Sequence, residues 1–190
     1  MHQIFLIFIA ISFLRNHLFD GTTTLPDGTK ITKKDFNDLW RKLDNETMIH
    51  KLKPIHFTCK EMDRQNVKLA TQVLSHTVSV LLKELFPVCR AKNSLAEYID
   101  VIDSSFNILN SNQNEHENFT KKAFGGEHLA DQLAVLDKFH DTISRTGFSG
   151  RPRFNTGLLI CIEANIGLQD HLAKVFDLHQ FKTRNTTQEI

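Results

Sequence analysis

Ser75, Asn107 and Asn110 are the residues whose types and positions most invite a chemical reading. Each falls in a strongly periodic apolar stretch, where Ser and Asn are mediocre helix formers, so they are expected to do something there. Two readings stand side by side: solvation or a helix–helix hydrogen bond, and a polar ligand held between two helices. Other chemistries are poorly served. A P-loop needs Gly-x-x-x-x-Gly-Lys-Ser/Thr so that backbone N–H groups wrap the phosphates. Six residues, not four, separate Gly21 from Gly28, and Lys30 follows Thr29, so both spacing and order fail. There is no GxSxG and no HExxH motif. His56-x-x-Cys59 offers two zinc ligands without a suitably spaced second pair, and reads as a surface His and a buried thiol. His171 and His179 are too far apart to chelate one metal alone. Asp100, Asp103, Asp137 and Asp141 read most simply as solvated helix faces, and Lys121, Lys122, Arg151, Arg153, Lys182 and Arg184 could touch phosphates, with solvated charge the more common explanation.

The elements that must position these residues are mostly helices. Phe36, Leu39, Trp40 and Leu43 share one face of a helix capped by Thr32, after an Asp27-Gly28 turn. Val67, Ala70, Val73, Leu74, Val78, Leu81, Leu82 and Leu85 hold a 3.6 period, which predicts one helix over Met62–Phe86 stopped by Pro87. Ser94-Leu95-Ala96-Glu97 reads as a capping box opening a helix to about Asn110, with Leu95, Tyr98, Ile99, Ile102, Phe106 and Leu109 on one face. The short connection predicts that these two helices pack antiparallel. Further helices are expected over Glu127–Arg145, ended by Gly147, and over Asn155–Phe176, with an interruption at Gly167. Ser111–Glu117 and Gly150–Arg153 read as loops.

Composition bounds the function. The chain has 190 residues, 41% apolar and 24% charged, which is ordinary for a folded domain. A net charge of +1 excludes nucleic-acid binding through bulk positive charge, though not through a local patch. Three widely spaced cysteines, Cys59, Cys89 and Cys161, exclude a disulfide framework. Ile4–Leu14 is nearly continuously apolar, too short for a confident transmembrane helix. It reads as a buried β-strand or, alternatively, as a signal or anchor segment. Three sequons, at Asn45, Asn118 and Asn185, are about as many as chance supplies, and would accompany secretion.

Several motifs in one order carry a resemblance. Residues 65–76, QNVKLATQVLSH, resemble the "RVKLATQVFSHSV" helix of P-element-type (THAP-domain-containing) transposases. Residues 13–18, FLRNHL, resemble the "IRNNL" that closes the first half of that family's RNase H-like fold. Residues 25–28, LPDG, with the Trp40 helix, resemble the passage into its inserted domain, and residues 51–56, KLKPIH, resemble "KLTPxH". Residues 154–168, FNTGLLICIEANIGL, and 181–184, FKTR, resemble the family's last insertion helix and the "LLTRR" that returns the chain to the catalytic fold.

The resemblance implies a mainly α fold. Residues 1–20 would be a short extended remnant of the RNase H-like domain, 21–182 a helical GTP-binding insertion domain, and 183–190 the start of the return. It implies a guanine nucleotide bound, and not hydrolysed, in support of transposase assembly. Carried over by position, the contacts fall at Lys51, Asn66, Val67, Ser75, Phe106, Asn107, Asn110 and Glu189. Lys51 would meet phosphate, Phe106 would stack on guanine, and the polar residues would hydrogen-bond. Asn66 stands where a basic residue is usual, Asn107 where Asp is frequent, and Glu189 where an Asp reads the base, so binding is expected to be weak. Leu6 occupies the position of a catalytic Asp, and the other acids would fall outside the chain. The resemblance therefore implies a truncated fragment without nuclease activity. Mg2+ and DNA would belong to the complete transposase only, a homo-oligomer is compatible with it, and the nucleus is the implied location. The competing reading is a small secreted or membrane-anchored helical binding protein.

Overall fold

In the computed structural model, which describes residues 2–44, 52–58, 60–111, 116–150, 154–181 and 183, the N-terminal apolar run is helical and not extended. Helix α1 spans His2–Asp20. Ala10, Ile11, Leu14 and Leu18 are buried at helical spacing. Apolar residues on the far side, such as the half-exposed Phe13, mask that period in the sequence. Arg15 is fully buried and donates to the carbonyls of Asp63 and Arg64, and Asn16 donates to Arg64 as well. These bonds tie α1 to a 3-10 turn over Glu61–Gln65. Among the described residues no helix is long and apolar enough to cross a membrane.

Strands β1 (Thr23–Thr24) and β2 (Lys30–Ile31) form the expected hairpin. Gly28 takes a positive φ of 84°, the conformation that favours glycine in a turn. Helix α2 (Lys33–Asp44) begins with a reciprocal cap, in which the Thr32 N–H donates to the Asp35 carboxylate at 2.9 Å and the Asp35 N–H to the Thr32 carbonyl. Its Phe36, Leu39 and Leu43 are buried, as their spacing predicts. The short helix α3 (Pro54–Thr58) carries His56, which is buried and not at the surface. His56 Nδ1 lies 2.9 Å from the Lys53 nitrogen and 3.0 Å from the Lys53 carbonyl, and its Nε2 meets Gln72 Oε1 at 2.8 Å. Cys59 lies outside the described residues.

The long helix expected over Met62–Phe86 is divided into the Glu61–Gln65 turn, α4 (Val67–Val73) and α5 (His76–Leu85). Asn66 starts α4 by accepting the Leu69 N–H on its side chain. At the second break Leu74 leaves the helical region and Ser75 is extended, with φ −105° and ψ 155°. The apolar period continues across both breaks because each piece buries its own face, Ala70 and Val73 on α4, Val78 and Leu82 on α5. Periodicity alone therefore does not reveal them.

Helix α6 (Arg90–Leu109) starts four residues before the expected capping box. Ser94 lies inside it, with its hydroxyl bonded to Asp27 Oδ2 at 2.7 Å and to the Arg90 carbonyl. Asn93 donates to the Pro87 carbonyl at the turn, while His76 at the far end of α5 bonds Asp100, so α5 and α6 run antiparallel. They form the most extensive helix pair of the fold. Helix α7 (Leu129–Arg145) packs on α6. Gly147 is not a left-handed cap: it opens strand β4 (Gly147–Phe148), which adds to β1 on the edge opposite β2. Helix α8 (Phe154–Phe176) runs through Gly167 without a break and packs against α1 and α7. Strand β3 (Phe124–Gly125) pairs with β5 (Gln180–Phe181). One contiguous core joins residues from α1 through α8.

Candidate functional site

Helix α6 has twenty residues and α5 only ten, so the C-terminal half of α6 runs on past the start of α5. On that overhang Asp103, Phe106, Asn107 and Asn110 sit at i, i+3, i+4 and i+7, one helix face. The α4–α5 break faces them. The His76 side chain bonds Asp100 at 2.8 Å, and Lys83 bonds Asp100 at 2.8 Å. Asn107 Nδ2 donates to Asp103 Oδ2 at 3.0 Å. Asp100 and Asp103 are therefore not the simple solvated faces expected of them.

The two carboxylates respond in opposite directions. Burial raises the Asp103 carboxyl above the ordinary carboxylate range, against the pull of the His76 N–H, the Asn107 amide and the Lys121 charge. Burial works the same way at Asp100, but the bonds from Lys83 and His76, with the Lys83 charge, outweigh it and hold that carboxyl below its ordinary value. The face thus holds one well-compensated carboxylate and one poorly compensated carboxylate beside an aromatic ring.

The sequence-derived residues are distributed unequally about it. Ser75 lies at the break, immediately before His76, and its hydroxyl donates to the Gln72 carbonyl at 2.8 Å. Phe106 is half-buried and packs against the core. Asn110 is the C-cap of α6, and its side-chain Oδ1 is buried without a hydrogen-bond partner among the described residues. Ser75 and Asn110 are thus boundary residues, not the helix-interior residues their setting predicted. Asn66 and Val67 lie at the other end of α4, about 10 Å of helix away. Lys51 and Glu189 lie outside the described residues, as do Arg151 and Arg153.

Sequence reasoning did not single out His76 and read Asp103 only as part of a solvated face. The signal for Asp103 was present: it stands one turn before Asn107 on the face that carries Phe106 and Asn110.

A second anchor holds this end of α6. Thr183 is fully buried; its hydroxyl accepts the Ser111 N–H at 2.8 Å and donates to the Ile108 carbonyl at 3.0 Å. Chain leaving Thr183 therefore starts beside Asn110. Elsewhere, Phe13, Asn16, His17, Asp20, Arg64 and Gln65 line a cleft next to the start of α4. A smaller cleft with Asp27, Ser94, Glu97 and Tyr98 lies on the opposite face of α6. No group of three or more His, Cys, Asp or Glu suited to a metal ion occurs among the described residues.

Comparison with known proteins accords with this geometry. Residues 10–123 match the family described as TNP-like, GTP-binding insertion domain. The transposable element P transposase of Drosophila melanogaster is 25% identical over 189 residues, which are 95% of this chain and 25% of that protein. The Drosophila P element transposase strand transfer complex shares the fold, with a TM-score of 0.84 and 22% identity over 95% of this chain and 42% of that chain. The chain therefore spans about a quarter of the length of the curated relative it matches.

Proposed function

The chain belongs to the TNP-like, GTP-binding insertion domain family, and from that premise we propose that it binds a guanine nucleotide on the overhanging face of α6. The observation that carries this reading is the single face holding Phe106, Asn107 and Asn110 opposite the Ser75–His76 break. Such a face offers an aromatic ring for a base, neutral groups for hydrogen bonds, and a buried acceptor oxygen on Asn110 that has no partner of its own. Asn66 and Val67, a helix length away, and Lys51 serve the phosphate end. By its position in the sequence Glu189 would serve the base end.

Binding is weak in this reading. Asn66 gives the phosphates no charge, and a lost charged contact costs about 1.5–3 kcal/mol, or roughly 10- to 150-fold in affinity. Hydrolysis is no part of this reading. The bound nucleotide would support assembly of a larger transposase, with DNA as a partner of that larger protein and the nucleus as its place of action. The chain itself performs no strand transfer, since Leu6 stands where an acidic metal ligand is needed.

Calorimetric titration of GTP against the wild type, Asn66→Lys and Phe106→Ala tests the site. Tighter binding by Asn66→Lys and loss of binding by Phe106→Ala are expected. Equal responses from all three proteins remove the nucleotide from this face. Nicking of transposon-end DNA by the pure chain with Mg2+ would refute the non-catalytic assignment.

A further inference from the structure

Lys122 and His128 stand at the two ends of the loop that carries strand β3, between a 3-10 turn over Phe119–Lys121 and the start of α7. The Lys122 ammonium lies 2.7 Å from His128 Nε2, and Glu127 Oε1 lies 3.0 Å from the same nitrogen. Lys122 and Glu127 are 3.7 Å apart. The lysine and imidazole side chains are 24% and 26% exposed and Glu127 78%, so the first contact is sheltered from water and the carboxylate is not.

An ammonium has donors only, so His128 Nε2 must be the acceptor, and an imidazole nitrogen accepts only in the neutral ring. Neutral, His128 closes the loop by accepting from Lys122. Charged, both its nitrogens are donors. It then sets a donor and a second positive charge against Lys122, and its remaining neighbour, Glu127, becomes the better partner. Glu127 suits both states, because it lies near the ammonium and the imidazole alike. The other charged or titratable groups on the surrounding elements are committed elsewhere or exposed. His116 Nδ1 accepts the Asn118 N–H at 2.9 Å, the Lys121 charge acts on Asp103, and the His179 ring bonds Asp177 at 2.9 Å. Glu117 and Asp131 are exposed.

We propose that Lys122, His128 and Glu127 form a proton-operated clasp on this loop. The hydrogen bond from Lys122 to neutral His128 closes it, and a charged His128 releases Lys122 and pairs with Glu127. The opening is local. Buried Gln132 donates to the Phe119 and Ala123 carbonyls at 3.0 and 3.2 Å and accepts the Gly125 N–H at 2.9 Å, and β3 stays paired with β5. None of these bonds involves a group that titrates with histidine. The turn that the clasp secures packs on α6 and carries Lys121, so the clasp governs the segment that brings a positive charge to Asp103.

The test is amide exchange by NMR on the full 190-residue chain at about pH 7.5 and about pH 5, which bracket the range in which histidine changes charge. The reporter is the Lys122 amide, which donates to the Phe119 carbonyl at 3.2 Å, read as a protection factor so that the intrinsic rate cancels. Wild-type protection is expected to fall by about 2- to 5-fold at the lower pH, the scale of one partly exposed charged contact. His128→Gln keeps an acceptor oxygen for Lys122 that takes no proton in this range, and should hold the higher protection at both pH values. Lys122→Met removes the donor and should show the lower protection at both. Circular dichroism checks that each variant is folded. Wild-type protection that does not change with pH overturns the clasp. So does a folded His128→Gln that still loses protection in acid, since another group would then be responsible. If His128→Gln does not fold, Lys122→Met decides, and pH dependence that survives without the ammonium overturns the proposal.

Discussion

Replacing Thr183 by Val should loosen the end of α6 that carries the candidate face. Val conserves the shape of Thr but removes its hydroxyl, so packing is nearly unchanged and hydrogen bonding is not. The bonds lost in this fully buried position include those from the Ser111 N–H at 2.8 Å and to the Ile108 carbonyl at 3.0 Å, together with the 3.1 Å contact to the Ser111 hydroxyl. The Ser111 N–H is not wholly orphaned, because the Ile108 carbonyl stands 3.3 Å away as a fallback. The cost should therefore be about 1–3 kcal/mol, the range for one buried polar group left poorly satisfied, and not the sum of two such losses. Thr183→Ser keeps the hydroxyl and loses one methyl group, for a cost of about 1 kcal/mol. Urea denaturation of the three proteins gives the order, and amide exchange at Ser111 localises it. The expected result is faster Ser111 exchange in Thr183→Val than in Thr183→Ser. Equal destabilisation by the two variants would mean that the methyl group and not the hydroxyl holds the segment. No effect from either would mean that the anchor does not contribute to stability at all.

The α5–α6 packing makes a second prediction: Leu82→Ala, at a fully buried position, should cost about 2–5 kcal/mol by urea denaturation, and Leu81→Ala, only partly buried, clearly less. The reverse order would place the wrong face of α5 against α6. The third concerns Asp100, whose carboxyl is held below its ordinary value despite burial. Its ion pairs contribute fully above the unfolded carboxylate value of about 4 and are lost as pH falls through the lower folded value, so Asp100→Asn should differ from wild type at pH 6 and converge with it in strong acid. Because Lys83 and His76 are largely exposed, the pH 6 difference should be about 0.2–1 kcal/mol by thermal melts, and a gap that persists undiminished in strong acid would deny the ion pairs that role.

The helical class, the hairpin at Asp27-Gly28 and the buried face of α2 were legible because each rests on local rules of period, turn chemistry and capping. The failures have physical causes. Ile4–Leu14 reads as extended because its apolar residues surround the helix, and only the fold reveals that Ala10, Ile11, Leu14 and Leu18 face inward. Ser94-Leu95-Ala96-Glu97 satisfies the capping-box pattern, yet Ser94 spends its hydroxyl on Asp27, far away in sequence. His56 looks like a surface residue because its partner, Gln72, is sixteen positions on. Such contacts belong to the tertiary fold, and no window of sequence contains them.

The candidate site owes its shape to the break that periodicity concealed. Had residues 67–85 formed one straight helix, its N-terminal half would have continued alongside α6 beyond Asp103, where Phe106, Asn107 and Asn110 project. Ending α4 at Val73 and restarting at His76 leaves that half of α6 overhanging and turns a backbone N–H towards Asp103. The same break accounts for Ser75, an extended residue whose hydroxyl bonds back to Gln72 and so terminates α4. Asn110 ends α6 as its C-cap, through its backbone N–H. Residues that looked anomalous as helix interiors are thus ordinary as helix ends. Their functional significance rests on where those ends meet, since both terminate at the face bearing the ring of Phe106 and the carboxylate of Asp103.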